Sequence, residues 1–151
     1  MTCFAVLEKI EVFLGLHLRT RHEITGFQPE VRPEIPVAAL REAVVNALVH
    51  RDYTIPGPIR VFVFADRVEI HSPGRPPNSV DSDAMRAGVH VPRNPHIYSR
   101  VAAGQLATRA GSGIRRIARL LKEVGNTGPE ISISDAEVVL TLPRARGGRA
   151  I

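Results

Sequence analysis

Apolar positions recur at helical spacing through residues 39–53, ALREAVVNALVHRDY. At 3.6 residues per turn, Leu40, Ala43, Val44, Val45, Ala47, Leu48 and Val49 cover most of the circumference, which predicts a largely buried helix. Its polar members carry the information. Glu42, Asn46 and His50 stand four apart, each about 40° further round than the last, and so share one narrow stripe. A carboxylate, an amide and an imidazole among apolar neighbours need polar partners, water, or a bound ligand with a metal. A polar rim facing solvent has the same spacing, and periodicity does not choose between the two.

The remaining pattern predicts further elements. Residues 4–18 read as an amphipathic helix, with Leu7, Ile10, Leu14 and Leu18 among its apolar positions and Glu8, Lys9, Glu11 and His17 largely opposite. Residues 19–35, interrupted by Gly26, Pro29 and Pro33, read as an edge strand or an irregular connection, and Pro36 suits the first turn of the central helix. Runs at 59–64 and 67–71, joined by Ala65 and Asp66, predict a hairpin. Ile59, Val61 and Val63 lie on one face of its first strand, while Phe62 and Phe64 give the other face apolar cover. The second strand is expected to end at Ser72-Pro73-Gly74.

Short helices are expected at 79–87 and 94–103, the latter opened by Pro95. Gly111-Ser112-Gly113 then leads into an amphipathic helix, with Ile114, Ile117, Leu120 and Leu121 inward and Arg115, Arg116, Arg119 and Lys122 toward solvent. Runs at 130–133 and 137–142 predict a second hairpin, and the Arg- and Gly-rich residues 144–151 read as a disordered tail. Helices mixed with antiparallel hairpins imply an α+β two-layer sandwich over residues 1–143, with helices packed on one face of a mixed, mostly antiparallel sheet.

Composition adds limits. A chain of 151 residues is sized for one domain, and no apolar run approaches the roughly 20 residues of a membrane span. The N-terminus lacks a signal-peptide pattern, so a cytoplasmic location and no membrane partner are expected. Cys3 stands alone and Cys/His metal spacing is absent, so a structural zinc is not expected. A net charge of +5 fits a nucleotide or nucleic-acid partner, but the cations are 18 Arg against 2 Lys and are scattered before the tail, which weakens that inference. With 5 Phe, 2 Tyr and no Trp, stacking platforms for single-stranded nucleic acid are sparse.

Four segments in order, REAVVNALVHRDY, RVEIHSPGRPP, RNPHI and AGSGIRRI, resemble the ATP-binding domain of the GHKL (Bergerat-fold, histidine-kinase-like ATPase) superfamily over roughly residues 5–143. More narrowly, the chain is similar to the branch found in putative transcriptional regulators and helicase-related proteins that carry a Schlafen-like DNA-binding domain upstream. The resemblance implies the two-layer Bergerat fold, with ATP and Mg2+ as cofactors. Glu42 and Asn46 match the superfamily's Glu-x-x-x-Asn box. Glu42 would orient and deprotonate the attacking water, and the Asn46 amide oxygen would ligate the magnesium. His50 stands where relatives vary and would contact phosphate or cap the helix end.

Ser72-Pro73-Gly74 occupies the place of an Asp-x-Gly box whose carboxylate meets the adenine amino group. The hydroxyl of Ser72 is the weaker acceptor, Gly74 keeps room for the base, and Pro76 replaces the box's later glycine. Gly111, Ser112 and Gly113 match the glycine box that closes the ATP lid, where free N–H groups ahead of a helix receive phosphate and Ser112 is placed to cap. Arg93 or Asn94 would reach a phosphate or brace the lid.

Three functions remain open at this point. The first is a magnesium-dependent ATP- or ADP-binding domain, acting as a weak ATPase or nucleotide-gated switch in a DNA-associated transcriptional regulator, with a homodimer as one expected assembly. The second is a non-catalytic module that keeps the fold without the nucleotide, consistent with Ser72 and Pro76. The third is a basic nucleic-acid-binding domain. Under the first, nucleic acid binds this chain only weakly and nonspecifically. Histidine kinase activity is disfavoured, because no phospho-acceptor helical segment precedes the fold.

Overall fold

The Thr2 hydroxyl accepts from the Ala5 N–H at 3.3 Å and opens helix α1 (Cys3–His17). The computed structural model describes residues 2–18, 20–76, 81–87, 93–105 and 112–144. After α1 come strands β1 (Thr20–Thr25) and β2 (Gln28–Pro33), helix α2 (Val37–His50), and strands β3 (Arg60–Val63) and β4 (Arg67–Pro73). Helices α3 (Ser82–Arg86), α4 (Pro95–Ala103) and α5 (Gly113–Glu123) follow, and β5 (Glu130–Ile133) and β6 (Glu137–Pro143) end the described chain. Among the described residues no helix is long and apolar enough to cross a membrane.

The fold is α+β, with a four-stranded sheet in the order β3-β4-β6-β5. All three of its pairings are antiparallel, in keeping with the mostly antiparallel sheet expected of a two-layer sandwich. β1 and β2 form a separate antiparallel pair, with Thr20 opposite Pro33, in the segment read as an edge strand or irregular connection. Register explains the core of the main sheet: Val68 lies opposite Leu142, and Ile70 and Ile131 both lie opposite Leu140. Alternation turns these five buried side chains toward the helices. Helix α2 covers that face, and α1, α4 and α5 pack around α2. As its pattern required, α2 is buried at Ala39, Leu40, Ala43, Val44, Val45, Ala47, Leu48 and Val49.

Phe62 and Phe64 correct one expectation, since both are more than a third exposed and no apolar layer covers them among the described residues. Their rings stack at 6.1 Å, with the guanidinium of Arg60 over Phe62 and that of Arg67 over Phe64. Beside them runs a ladder of charge, Arg60 to Glu137 to His71 to Glu69 to Arg67. Long cationic arms shield the rings there, which lets aromatic residues tolerate a wet sheet face.

Arg144 corrects the tail boundary. Its Nε and Nη2 both lie 2.9 Å from Glu34 Oε2, and its backbone N–H donates to the Asp66 carbonyl. Both side chains of this pair are about nine-tenths buried, so Arg144 belongs to the folded unit. The rest of the expected tail, 145–151, lies outside the described residues.

Candidate functional site

Helix α2 brings the polar stripe together with the start of α5. Glu42 is 5% exposed, while Asn46 and His50 are half-buried. Above them lies Gly113, so close that a methyl group on its Cα would stand 2.7 Å from Glu42 Oε1 and 3.6 Å from Asn46 Nδ2. One turn into α5, the Arg116 guanidinium donates to Glu42 Oε2 at 3.3 Å. One helix therefore faces both carboxylate oxygens, with Gly113 leaving room for Oε1 and the Arg116 cation bonded to Oε2.

Arg116 was placed by periodicity on the solvent face of α5. It turns inward because a carboxylate this buried requires a partner, and the guanidinium stem is long enough to reach it. Arg119 does face solvent, 3.9 Å from Glu123, and Arg115 donates to the Ala87 carbonyl at the end of α3. Ser112 occupies the N-cap position of α5 but makes no side-chain capping hydrogen bond to it. Gly111 lies outside the described residues, as do 106–110 of the expected lid.

A second group gathers at the C-terminal end of α2, where unpaired carbonyls need donors. The Ser72 hydroxyl donates to the Ala47 carbonyl at 3.2 Å, and the Tyr53 hydroxyl donates to that of Leu48 at 2.9 Å. Asn94 supplies the rest: its backbone N–H donates to Val49, and its Nδ2 donates to Val49 at 2.9 Å and Arg51 at 2.7 Å. Asn94 thus caps the preceding helix in space rather than α4, the helix it precedes in sequence. Ser72 is buried, and its hydroxyl ties β4 to α2 immediately beyond Asn46.

Gly74, at φ +99, donates its N–H to the Ala136 carbonyl and packs on Asp52. Asp52 was not singled out in the sequence, although Asp-x-Thr is a turn signal: its Oδ1 accepts from both the N–H and the hydroxyl of Thr54. Those two hydrogen bonds hold its carboxyl below the ordinary carboxylate range against the opposing effect of burial, with Arg93 and Arg51 adding to the lowering. Arg93 Nη1 meets Asp52 Oδ2 at 3.0 Å and its Nη2 reaches the Arg75 carbonyl, while its buried Nε has no hydrogen-bond partner. Arg93 therefore braces the segment before α4 against the loop after α2.

Two candidate clusters thus share α2. Glu42, Asn46 and Gly113 meet at one place, and Ser72, Gly74 and Asn94 attach to the helix's last turn or to the loop that follows. The pairing of Arg116 with Glu42 carries no local sequence signal, because its partners are 74 positions apart.

The crystal structure of the DIP2311 protein from Corynebacterium diphtheriae is similar to this chain, with a TM-score of 0.87 and 29% sequence identity over 96% of the chain. The chain spans 30% of the length of that solved protein. No curated protein matches it. The family model described as putative ATP-dependent DNA helicase recG C-terminal matches residues 57–142, which include Ser72, Gly74, Asn94 and the glycine box but not α2. With more than half of its length inside that model, the chain belongs to this ATPase-like domain family.

Proposed function

We propose that residues 1–143 form a magnesium-dependent ATP- or ADP-binding domain of the GHKL, Bergerat-fold type, working as a weak ATPase or nucleotide-gated switch. The observation that carries this reading is the meeting of Glu42, Asn46 and Gly113, where a methyl group on the glycine would stand 2.7 Å from the carboxylate and 3.6 Å from the amide at the start of a helix. A helix N-terminus opened by glycine receives phosphate oxygens, and no side chain at Gly113 obstructs their approach. Family membership supports the nucleotide, and the family's description as a DNA helicase C-terminal region supports a DNA-associated setting within a longer protein.

The donors fit a hard cation held jointly with phosphates. Asn46 offers an amide oxygen, and among the described residues no cluster of three His, Cys, Asp or Glu side chains offers an alternative cage. When bound, magnesium supplies charge neutralisation between phosphate oxygens. Asn46 holds the cation, Gly113 and the N–H groups at the start of α5 hold phosphate, and Glu42 orients water and receives its proton. Ser72, Gly74 and Asn94 build the rim at the far end of α2, where His50 is the helix's last residue.

A second reading is a module that has the fold without the nucleotide. Ser72 favours it, because this hydroxyl is buried and donated to Ala47, and no carboxylate occupies that position. Thermal shift and calorimetry with Mg-ATP and Mg-ADP separate the two. Binding in the micromolar to millimolar range, roughly −8 to −4 kcal/mol, is expected. No heat and no shift at several millimolar nucleotide would leave only the second reading.

A further inference from the structure

Glu42 is the most deeply buried member of the stripe, and its two oxygens meet two different parts of α5. Gly113 lies over Oε1, so close that a methyl group on its Cα would stand 2.7 Å from that oxygen, and only glycine leaves it room. Arg116 fixes Oε2 from the other side at 3.3 Å, with its own side chain about a third exposed. Both contacts exist only while α5 is docked on α2. We propose that Arg116 is a positioning residue which, with Gly113 leaving room for Oε1, holds the Glu42 carboxylate in the orientation needed to direct water, so that docking of α5 and readiness of the base are one event. The inference rests on the nucleotide reading above and adds to it a residue and a coupling.

The chemistry assigned to Arg116 is indirect. It touches Glu42, and Glu42 touches the water. A general base misplaced by about 1 Å can lose a hundredfold in rate with little change in substrate affinity, because only the reacting geometry suffers. The same helix begins at the residue proposed to face phosphate, so whatever shifts the N-terminus of α5 also shifts the guanidinium one turn later. Gly113 and Arg116 are three residues apart and so lie on neighbouring positions of one helical face.

The test uses the full chain and single-turnover hydrolysis of Mg-ATP with protein in excess, alongside calorimetric affinity for Mg-ADP. Arg116→Ala is expected to lower the hydrolysis rate by about tenfold or more while changing nucleotide affinity less than about threefold. Arg116→Lys, which restores a cation within reach of a single carboxylate oxygen, should recover part of the rate. Arg119→Ala, on the solvent side of the same helix, should match the wild type. A merely structural role predicts instead that affinity, melting temperature and rate fall together, with no rescue by lysine. That pattern, or an Arg116→Ala rate equal to wild type in a chain that hydrolyses ATP, overturns this inference and leaves the nucleotide reading standing. A wild type that binds Mg-ATP but hydrolyses none over a day also overturns it, since no base is then at work. A wild type that binds no nucleotide overturns both.

Discussion

Gly74 and Asp52 lie against each other so tightly that a methyl group on Gly74 would stand 2.3 Å from the Asp52 Cβ. The loop after α2 is thereby pressed onto the turn after β4, and the Asp52 N–H donates to the Pro73 carbonyl at 2.9 Å. With φ at +99, position 74 also has a backbone conformation that L side chains rarely adopt. Gly74→Ala should therefore cost about 2–4 kcal/mol, combining overpacking with backbone strain. Urea denaturation measures it, and the cost of Gly74→Ala should be smaller in an Asp52→Gly background, where the offending Cβ is gone. A neutral Gly74→Ala would show that the contact relaxes freely.

Glu34 and Arg144 form an ion pair between the segment before α2 and the end of β6, with both side chains about nine-tenths buried. Removing Arg144 deletes two short charge-assisted contacts to a buried carboxylate oxygen. Arg144→Ala should lower stability by about 3 kcal/mol. Truncation after Arg144 should leave the melting temperature within about a degree of wild type, whereas truncation after Pro143 should reproduce the alanine variant. Equal melting of both truncations would show that Arg144 contributes nothing.

The open face of the sheet carries a pH dependence. Hydrogen bonding from Arg67, then from His71, holds the Glu69 carboxyl below its usual 4.5. At Glu137 burial acts to raise the carboxyl, but hydrogen bonding and charge from His71 and Arg60 outweigh it, and the net direction is again downward from 4.5. Lowered carboxylates contribute stability above the unfolded value that is lost as pH falls through the folded one. The wild-type advantage over Glu137→Gln should thus be full near pH 6 and shrink below about pH 4.5. Denaturation midpoints of both proteins between pH 3 and 7 measure it, and a constant difference across that range would refute the assignment.

Much of this architecture was legible in the chain because it rests on local periodicity. The burial of α2, the hairpin at 130–143 and the helix after Gly113 follow from spacing alone. What escaped depends on contacts distant in sequence. Arg116 obeys the solvent-side pattern of its helix yet turns to a carboxylate 74 positions earlier. Phe62 and Phe64 read as apolar cover for the second face of β3, yet both are more than a third exposed. Arg144 reads as the first residue of a basic tail until Glu34 is found buried beside it. Asn94 precedes a helix, the usual place for a cap, but it caps α2 instead.

DNA binding by this chain should be weak and indifferent to sequence. Arg115 and Arg116 are engaged with Ala87 and Glu42, and the cations of the open sheet face are paired with Glu69 and Glu137. Among the described residues, the cations of that face are thus engaged rather than free to line a groove. Affinities of about 10⁻⁴ to 10⁻⁶ M at physiological salt, falling steeply as salt rises, are expected in gel shift. One duplex preferred about a thousandfold over random DNA would require base contacts and contradict this assignment.

Binding and chemistry should separate along the stripe of α2. Asn46 offers the amide oxygen and is half-buried beside Gly113, so Asn46→Ala should abolish the magnesium-dependent part of nucleotide binding. Glu42 is assigned to water rather than to nucleotide. Glu42→Gln keeps its volume and a hydrogen-bond acceptor for Arg116, and should retain Mg-ATP affinity within about threefold while removing hydrolysis. Glutamine is preferred to alanine here because alanine would empty the buried space of the Glu42 side chain and confuse catalysis with folding. Calorimetry with and without magnesium, paired with single-turnover hydrolysis, reads both variants. Parallel loss of binding in the two would assign Glu42 to structure and leave the proposed water without a base.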